Sequence, residues 1–165
     1  MKSKILDVEI NESIFKCICI IGAIFIVFFC LDLYFDLGAL RNYKVPQNIE
    51  FDKGKKIEFR IDKIVPSNKY IEITGWAYKK GKNVDYFNSR FILQNEETKK
   101  YKALHTEMTN IDYLLSVDEK YDCKRAGMYA KSIAVLLKRG NYRIFIEYKN
   151  DDENILVDTG EVFKY

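Results

Sequence analysis

From Ile18 to Leu31 every residue is apolar or weakly polar, with no charge and no break: Ile-Cys-Ile-Ile-Gly-Ala-Ile-Phe-Ile-Val-Phe-Phe-Cys-Leu. Ile14 and Phe15 extend the run on one side, and Leu33, Tyr34, Phe35 and Leu37 on the other. This approaches the roughly 20 apolar residues that a membrane-crossing helix needs. Lys16, Asp32 and Asp36 then fall near the lipid headgroups. The Ile, Val, Phe and Leu residues between Ile18 and Leu31 contribute roughly −3 to −6 kcal/mol to insertion. An Asp costs about +2.5 to +3.5 kcal/mol at the bilayer centre and much less at its edge, so insertion wins. A surface helix would keep one polar face, and this segment has none. The side chains expected against lipid are Ile18, Ile21, Ile24, Phe25, Val27, Phe28, Phe29 and Leu31. No small-x-small cleavage pattern follows the run, so it reads as an uncleaved signal anchor. The expected division is a tail over 1–13, the anchor over 14–40, a linker over 41–48 broken by Pro46, and a β domain over 49–165.

Beyond the linker the period changes to two, which marks strands with one buried face. Ile57, Phe59 and Ile61 alternate with Glu58, Arg60 and Asp62. Pro66-Ser-Asn makes a turn, and Ile71 and Ile73 resume the alternation. Phe91 and Leu93 mark another strand, Tyr101 to Met108 a further one, then Met128 to Val135. Tyr142, Ile144, Ile146 and Tyr148 follow the turn at Lys138-Arg-Gly-Asn, and Ile155 to Val157 and Val162 to Tyr165 close the chain. Ile111 to Val117 is the one short stretch read as helical. About eight short strands with frequent turns predict a mainly β fold, an antiparallel β-sandwich preceded by one transmembrane helix.

Charge narrows the partners. From Arg41 onward 24 Lys and Arg face 19 Asp and Glu, a formal +5 with the signs interspersed. That describes a solvated surface, and the basic stripe that nucleic-acid binding requires is missing. Three of the four cysteines, Cys17, Cys19 and Cys30, lie in the apolar segment. Cys123 stands alone in the domain, so the domain has no internal disulfide and rests on its core.

Trp76 poses a local question. If Ile71 and Ile73 point inward, strict alternation turns Gly75 and Ala77 inward and Trp76 outward. A bulge at Gly75 would reverse this and bury Trp76. Trp76, Tyr78 and Tyr86 lie close in sequence and form a candidate saccharide platform if their rings are exposed. In a Tyr-rich sandwich such rings also fill the edge of the core, with the hydroxyl reaching water.

The segments Ile73-Thr-Gly-Trp-Ala, Phe91-Ile-Leu, Tyr101, Asn110-Ile-Asp, Ala126-Gly-Met-Tyr-Ala and Leu136-Leu-Lys-Arg-Gly-Asn-Tyr142 resemble a bacterial envelope module. Its pattern is a Gly-Trp-Ala strand, an Arg-x-Asp-Val segment, a Ser-Gly-Phe strand and a Leu-x-x-Gly-x-Tyr hairpin. It is similar to the Ig-like accessory domains attached to surface glycopolymer enzymes and bacterial surface proteins, over roughly residues 57–150. Asn110 departs from the pattern where Arg would stand, and Met128 where Phe would. The resemblance implies an Ig-like sandwich outside the cytoplasm, with the N-terminus cytoplasmic.

Catalytic signatures are absent from the sequence. His105 is the single histidine and no nucleophile motif accompanies it. Zinc needs about four Cys or His ligands, and the domain offers one of each. Asp151-Asp-Glu153 lacks the spacing of a calcium loop. The expectation is a membrane-anchored, non-enzymatic binding or scaffolding module of the bacterial cell envelope, without a cofactor or metal. Its partners would be the bilayer and a cell-surface glycopolymer or envelope protein. The alternatives are a small subunit of a membrane complex, acting through Cys17, Cys19, Gly22 and Ala23 on its helix, and an envelope enzyme.

Overall fold

The computed structural model describes residues 12–38, 40–52, 56–84, 88–111, 121–151 and 153–165. It divides into a helical unit up to Asp36 and a β unit from Leu37 to Tyr165. The helix, α1 (Glu12–Gly38), is continuous. Glu12 stabilises its first turn and pairs with Lys16 at 2.7 Å. Every side chain described between Glu12 and Leu33 is exposed, and over those residues the helix is long and apolar enough to cross a membrane. At 1.5 Å per residue the stretch spans about 33 Å, against about 30 Å of hydrocarbon.

The β unit is mainly strand. Among the described residues its strands are β1 (Arg41–Tyr43), β2 (Glu50–Asp52), β3 (Ile57–Pro66), β4 (Tyr70–Lys79), β5 (Arg90–Asn95), β6 (Tyr101–Ala103), β7 (Thr106–Thr109), β8 (Gly127–Ile133), β9 (Asn141–Asn150) and β10 (Glu153–Lys164). They form a four-stranded sheet, β3-β4-β8-β7, and a six-stranded sheet, β1-β6-β5-β9-β10-β2. All pairs are antiparallel except β10 with β2. One hydrophobic cluster joins the two sheets, with Ile57, Ile71, Ile73 and Ala77 from the first and Phe91, Leu93, Ile144, Ile146 and Val157 from the second.

Several elements differ from the pattern-based expectation. The stretch Tyr101 to Met108 is broken at the buried Leu104 into β6 and β7, which belong to different sheets. The two closing strands are one strand, β10, whose register shifts between Asp158 and Val162. Gly160 sits there at φ +75, where the Asp158 carboxylate accepts its N–H at 3.0 Å. Of the expected helical turn only Ile111 is described, and it is buried; residues 112–120 lie outside the described residues.

The stretch expected to be a linker is part of the fold. Arg41–Tyr43 pairs with Tyr101–Ala103 at one edge of the six-stranded sheet. Glu50–Asp52 pairs with Ile155–Val157 at the other edge. Between them Tyr43, Val45 and Ile49 pack onto Ile92, Phe145 and Leu156. Residues 41–52 are therefore a strap across the outer face of this sheet, held by apolar burial and by hydrogen bonds at both ends.

Candidate functional site

The alternation in β4 runs unbroken, with Ile71, Ile73, Gly75 and Ala77 buried and Glu72, Thr74 and Trp76 half-buried on the other face. The expected bulge at Gly75 does not occur there. The register shifts instead in the partner strand, between Ile61 and Lys63. At Gly75 the β3 backbone lies too close for a side chain: a Cβ there would stand 2.3 Å from the Arg60 carbonyl oxygen.

Trp76 thus points away from the main core, yet its ring is not a free platform. It packs with Tyr121 against a second cluster made of Tyr78, Val84, Ile111, Cys123 and Ala126. Its ring lies 5.6 Å from that of Tyr78, centroid to centroid. The indole Nε1 is buried and finds no partner among the described residues. Tyr78 is only 2% exposed, and its hydroxyl donates to Glu58 Oε2 at 2.7 Å. That hydrogen bond holds Glu58 below the usual carboxylate range, with burial opposing it and Lys80 assisting. Tyr86 lies outside the described residues. Tyr78 cannot stack on a sugar, because segments 111 and 121–126 cover this end of the sheet.

An open cleft of about 380 Å³ lies further along the same face. Asp62, at the β3 bulge, forms one wall, and Thr109 and Asn110 at the end of β7 form another. Thr74 and Tyr129 belong to the strands between them. The bulge places Asp62 there, and the Arg60 guanidinium pairs with its carboxylate at 2.8 Å. Asp62, Thr74, Thr109, Asn110 and the half-exposed Tyr129 thus line an open recess together with Gly75, Ile111 and Met128, polar side chains beside an apolar floor. The donor and acceptor set suits a polyhydroxylated ligand: the carboxylate and amide accept and donate to hydroxyls, and the ring offers an apolar face.

No family model, no curated protein and no solved structure matches this chain.

The other sequence candidates fall elsewhere. His105 is exposed between β6 and β7 and lines a smaller pocket with Arg41, Ser89 and Arg90. The Ser89 hydroxyl there is engaged by the backbone, accepting from the Lys149 N–H at 2.8 Å. Cys123 is buried, its thiol 3.9 Å from the Lys82 carbonyl oxygen. Glu153, in the acidic stretch considered for calcium, pairs with Lys79 and, at 3.1 Å, with Lys82. Burial pushes its carboxyl up, but the two lysines outweigh this and hold it below the usual range. Among the described residues no three His, Cys, Asp or Glu side chains gather as a metal site.

Under the strap lies a charged group that the sequence did not flag. Glu147 is fully buried. It accepts from Tyr43 Oη at 2.9 Å and from Arg90 Nε, and Lys149 Nζ stands 3.4 Å away. Burial, then the Glu147 hydrogen bond, pushes the Tyr43 hydroxyl pKa well up, and the Arg90 guanidinium sits 5.3 Å from its ring centroid. Alternation along β9 gave Glu147 a solvent-facing parity; what buries it is the strap, which no local pattern predicts.

Proposed function

We propose that this chain is a membrane-anchored, non-enzymatic binding module of the bacterial cell envelope with an Ig-like sandwich, and that it holds a surface glycopolymer in the cleft at Asp62, Thr74, Thr109, Asn110 and Tyr129. The cleft is the observation that carries the reading: hydroxyl, carboxylate and amide groups beside a phenol ring, on an open sheet face.

Two features support the Ig-like assignment. The order β3-β4-β8-β7 and, within the larger sheet, β6-β5-β9-β10 is that of the A-B-E-D and C′-C-F-G strands of an immunoglobulin sandwich. At the start of β9 the Tyr142 hydroxyl donates to the Lys138 carbonyl at 2.8 Å, the arrangement of a tyrosine corner.

Retention of the full chain on immobilised wall polysaccharide tests the reading. Asp62→Asn and Tyr129→Ala should each weaken binding by about tenfold, equivalent to 1.4 kcal/mol, with an unchanged melting temperature. Unaltered retention in both variants would remove the cleft from the account.

A second reading has one observation behind it. Ala23, Ile24, Val27 and Phe28 line a shallow apolar groove on α1, which fits the helix of a membrane partner. Replacing α1 with an unrelated apolar helix and keeping full function in the cell would exclude that reading.

A further inference from the structure

A pocket of about 200 Å³ lies where the β5–β6 turn, β1 and the loop before β9 meet. Asn42, Asn95, Lys100, Lys102 and Lys138 line it, with Leu137 and Tyr142 as its apolar side. Strand pairing brings these residues together. Lys102 stands opposite Asn42 across the β1–β6 pair, and its Nζ donates to Asn42 Oδ1 at 2.7 Å. Asn95 stands opposite Tyr142 across the β5–β9 pair. The Tyr142 hydroxyl donates to the Lys138 carbonyl at 2.8 Å and so holds the loop here. The Asn95 N–H donates to the Lys100 carbonyl at 3.0 Å and closes the turn. No carboxylate lines the pocket among the described residues, and none of the three lysines forms an ion pair with a described residue. Residues 95–102 and 138–142 carry five Lys and Arg against two Glu, a formal +3.

Asn95 is the buried member of the set, 5% exposed. Its Oδ1 accepts from the Glu97 N–H at 3.1 Å, the Thr98 N–H at 2.8 Å and the Thr98 hydroxyl at 3.0 Å. Those three donors fix which way the amide points, because an amide NH₂ accepts no hydrogen bond. The Nδ2 group is left without an acceptor among the described residues. A nearly buried donor without a partner costs stability, and an oxygen from outside the chain would satisfy it. Lys102 keeps two of its three protons for such a ligand, and Lys100 and Lys138 keep all of theirs. A set of donors with a threefold positive charge suits an anion with several oxygens. A phosphomonoester carries a charge of about −1.5 to −2 at pH 7, more than a carboxylate, and lysine binds phosphate as a point charge. The apolar side at Leu137 and Tyr142 has no use for a bare ion and can cover the carbon part of an ester.

We propose that the pocket at Asn95, Lys100, Lys102 and Lys138 binds the terminal phosphate of a phosphomonoester. The proposal is independent of the glycopolymer cleft and of the membrane anchor. It would give the β unit a second ligand, on the sheet opposite the cleft.

The test titrates sn-glycerol 3-phosphate into the full chain in maltoside micelles, read by amide NMR shifts. The amides of residues 95–102 and 138–142 should move saturably. Dimethyl phosphate, a diester with a single charge, should bind about tenfold more weakly, and acetate more weakly still. Lys100→Gln and Lys138→Gln should each weaken glycerol 3-phosphate by about tenfold, and Lys131→Gln, on β8 of the other sheet, not at all. Asn95→Asp keeps an oxygen for the turn and puts a carboxylate oxygen in place of the free NH₂, so binding should be lost. Melting temperatures keep folding defects apart, and the two exposed lysines decide the matter if Asn95→Asp is unstable. Inorganic phosphate that saturates while glycerol 3-phosphate does not would make this a free-anion site and overturn the ester. Acetate binding as well as glycerol 3-phosphate, or shifts unchanged in both lysine variants, would overturn the site itself.

Discussion

A methyl group at position 75 would stand 2.3 Å from the Arg60 carbonyl oxygen and 3.2 Å from the Ile61 Cα. Both neighbours are backbone of β3, so relief requires the strand to move. Gly75→Ala should therefore destabilise the domain by about 1–3 kcal/mol, the range for an overpacked core, measured as a lower urea midpoint. The same displacement would disturb the bulge that positions Asp62, so binding at the cleft should fall with stability. A second prediction concerns the bond between Tyr78 and Glu58. Because that bond holds the Glu58 carboxyl below its usual range, its contribution is complete above the unfolded pKa of about 4.3. It is lost as pH falls through the lowered folded value. Tyr78→Phe should lower stability at pH 7 and flatten the loss of stability between pH 5 and 3. Parallel melting curves for the two proteins over that range would show that the bond does not matter.

At the scale of elements the strap is the unit with the clearest consequences. It pairs along β6 on one side of the six-stranded sheet and along β10 on the other, so the sheet ends in two strands of only three residues, which leave little unpaired backbone to other chains. It also covers Glu147, whose buried charge needs each of its donors. Tyr43→Phe removes one and should cost about 1–3 kcal/mol, while hydrogen exchange of residues 41–52 speeds up before that of the core. The Tyr43 pKa is raised in the fold. Its share of stability is thus present below the unfolded value of about 10 and lost as pH rises beyond it. Tyr43→Phe should lack that share of the alkaline loss.

Much of the fold was legible because the buried positions of β4 and β9 repeat with period two. Ile71, Ile73, Gly75 and Ala77 follow strict alternation to the end of the strand. The break between β6 and β7 was not legible, since Leu104-His105 carries neither Gly nor Pro and only the change of sheet defines it. The strap was illegible for a related reason: Pro46 and its polar neighbours have the composition of a linker, and their pairing partners lie some 60 and 100 residues away. Alternation turned Trp76 outward while a bulge at Gly75 would have buried it; the strand keeps its alternation, and the residues that cover the ring come from another part of the chain. The cleft drew single polar residues from β3, β4, β7 and β8, each ordinary in its own segment. Asp62 in particular gained its place from a register shift that alternation does not foresee.

At the scale of the whole molecule, a helix long and apolar enough to cross a membrane is followed within a few residues by the first strand of the β unit. The proposed binding at the cleft depends on the side of the membrane that the β unit occupies. Val135, 67% exposed, offers a handle for finding out. Cys123 is buried and Cys17, Cys19 and Cys30 lie in α1, so the native thiols give little background. Val135→Cys should react with a membrane-impermeant maleimide in intact cells as fully as after lysis. Reaction only after lysis would place the β unit in the cytoplasm and contradict the envelope module.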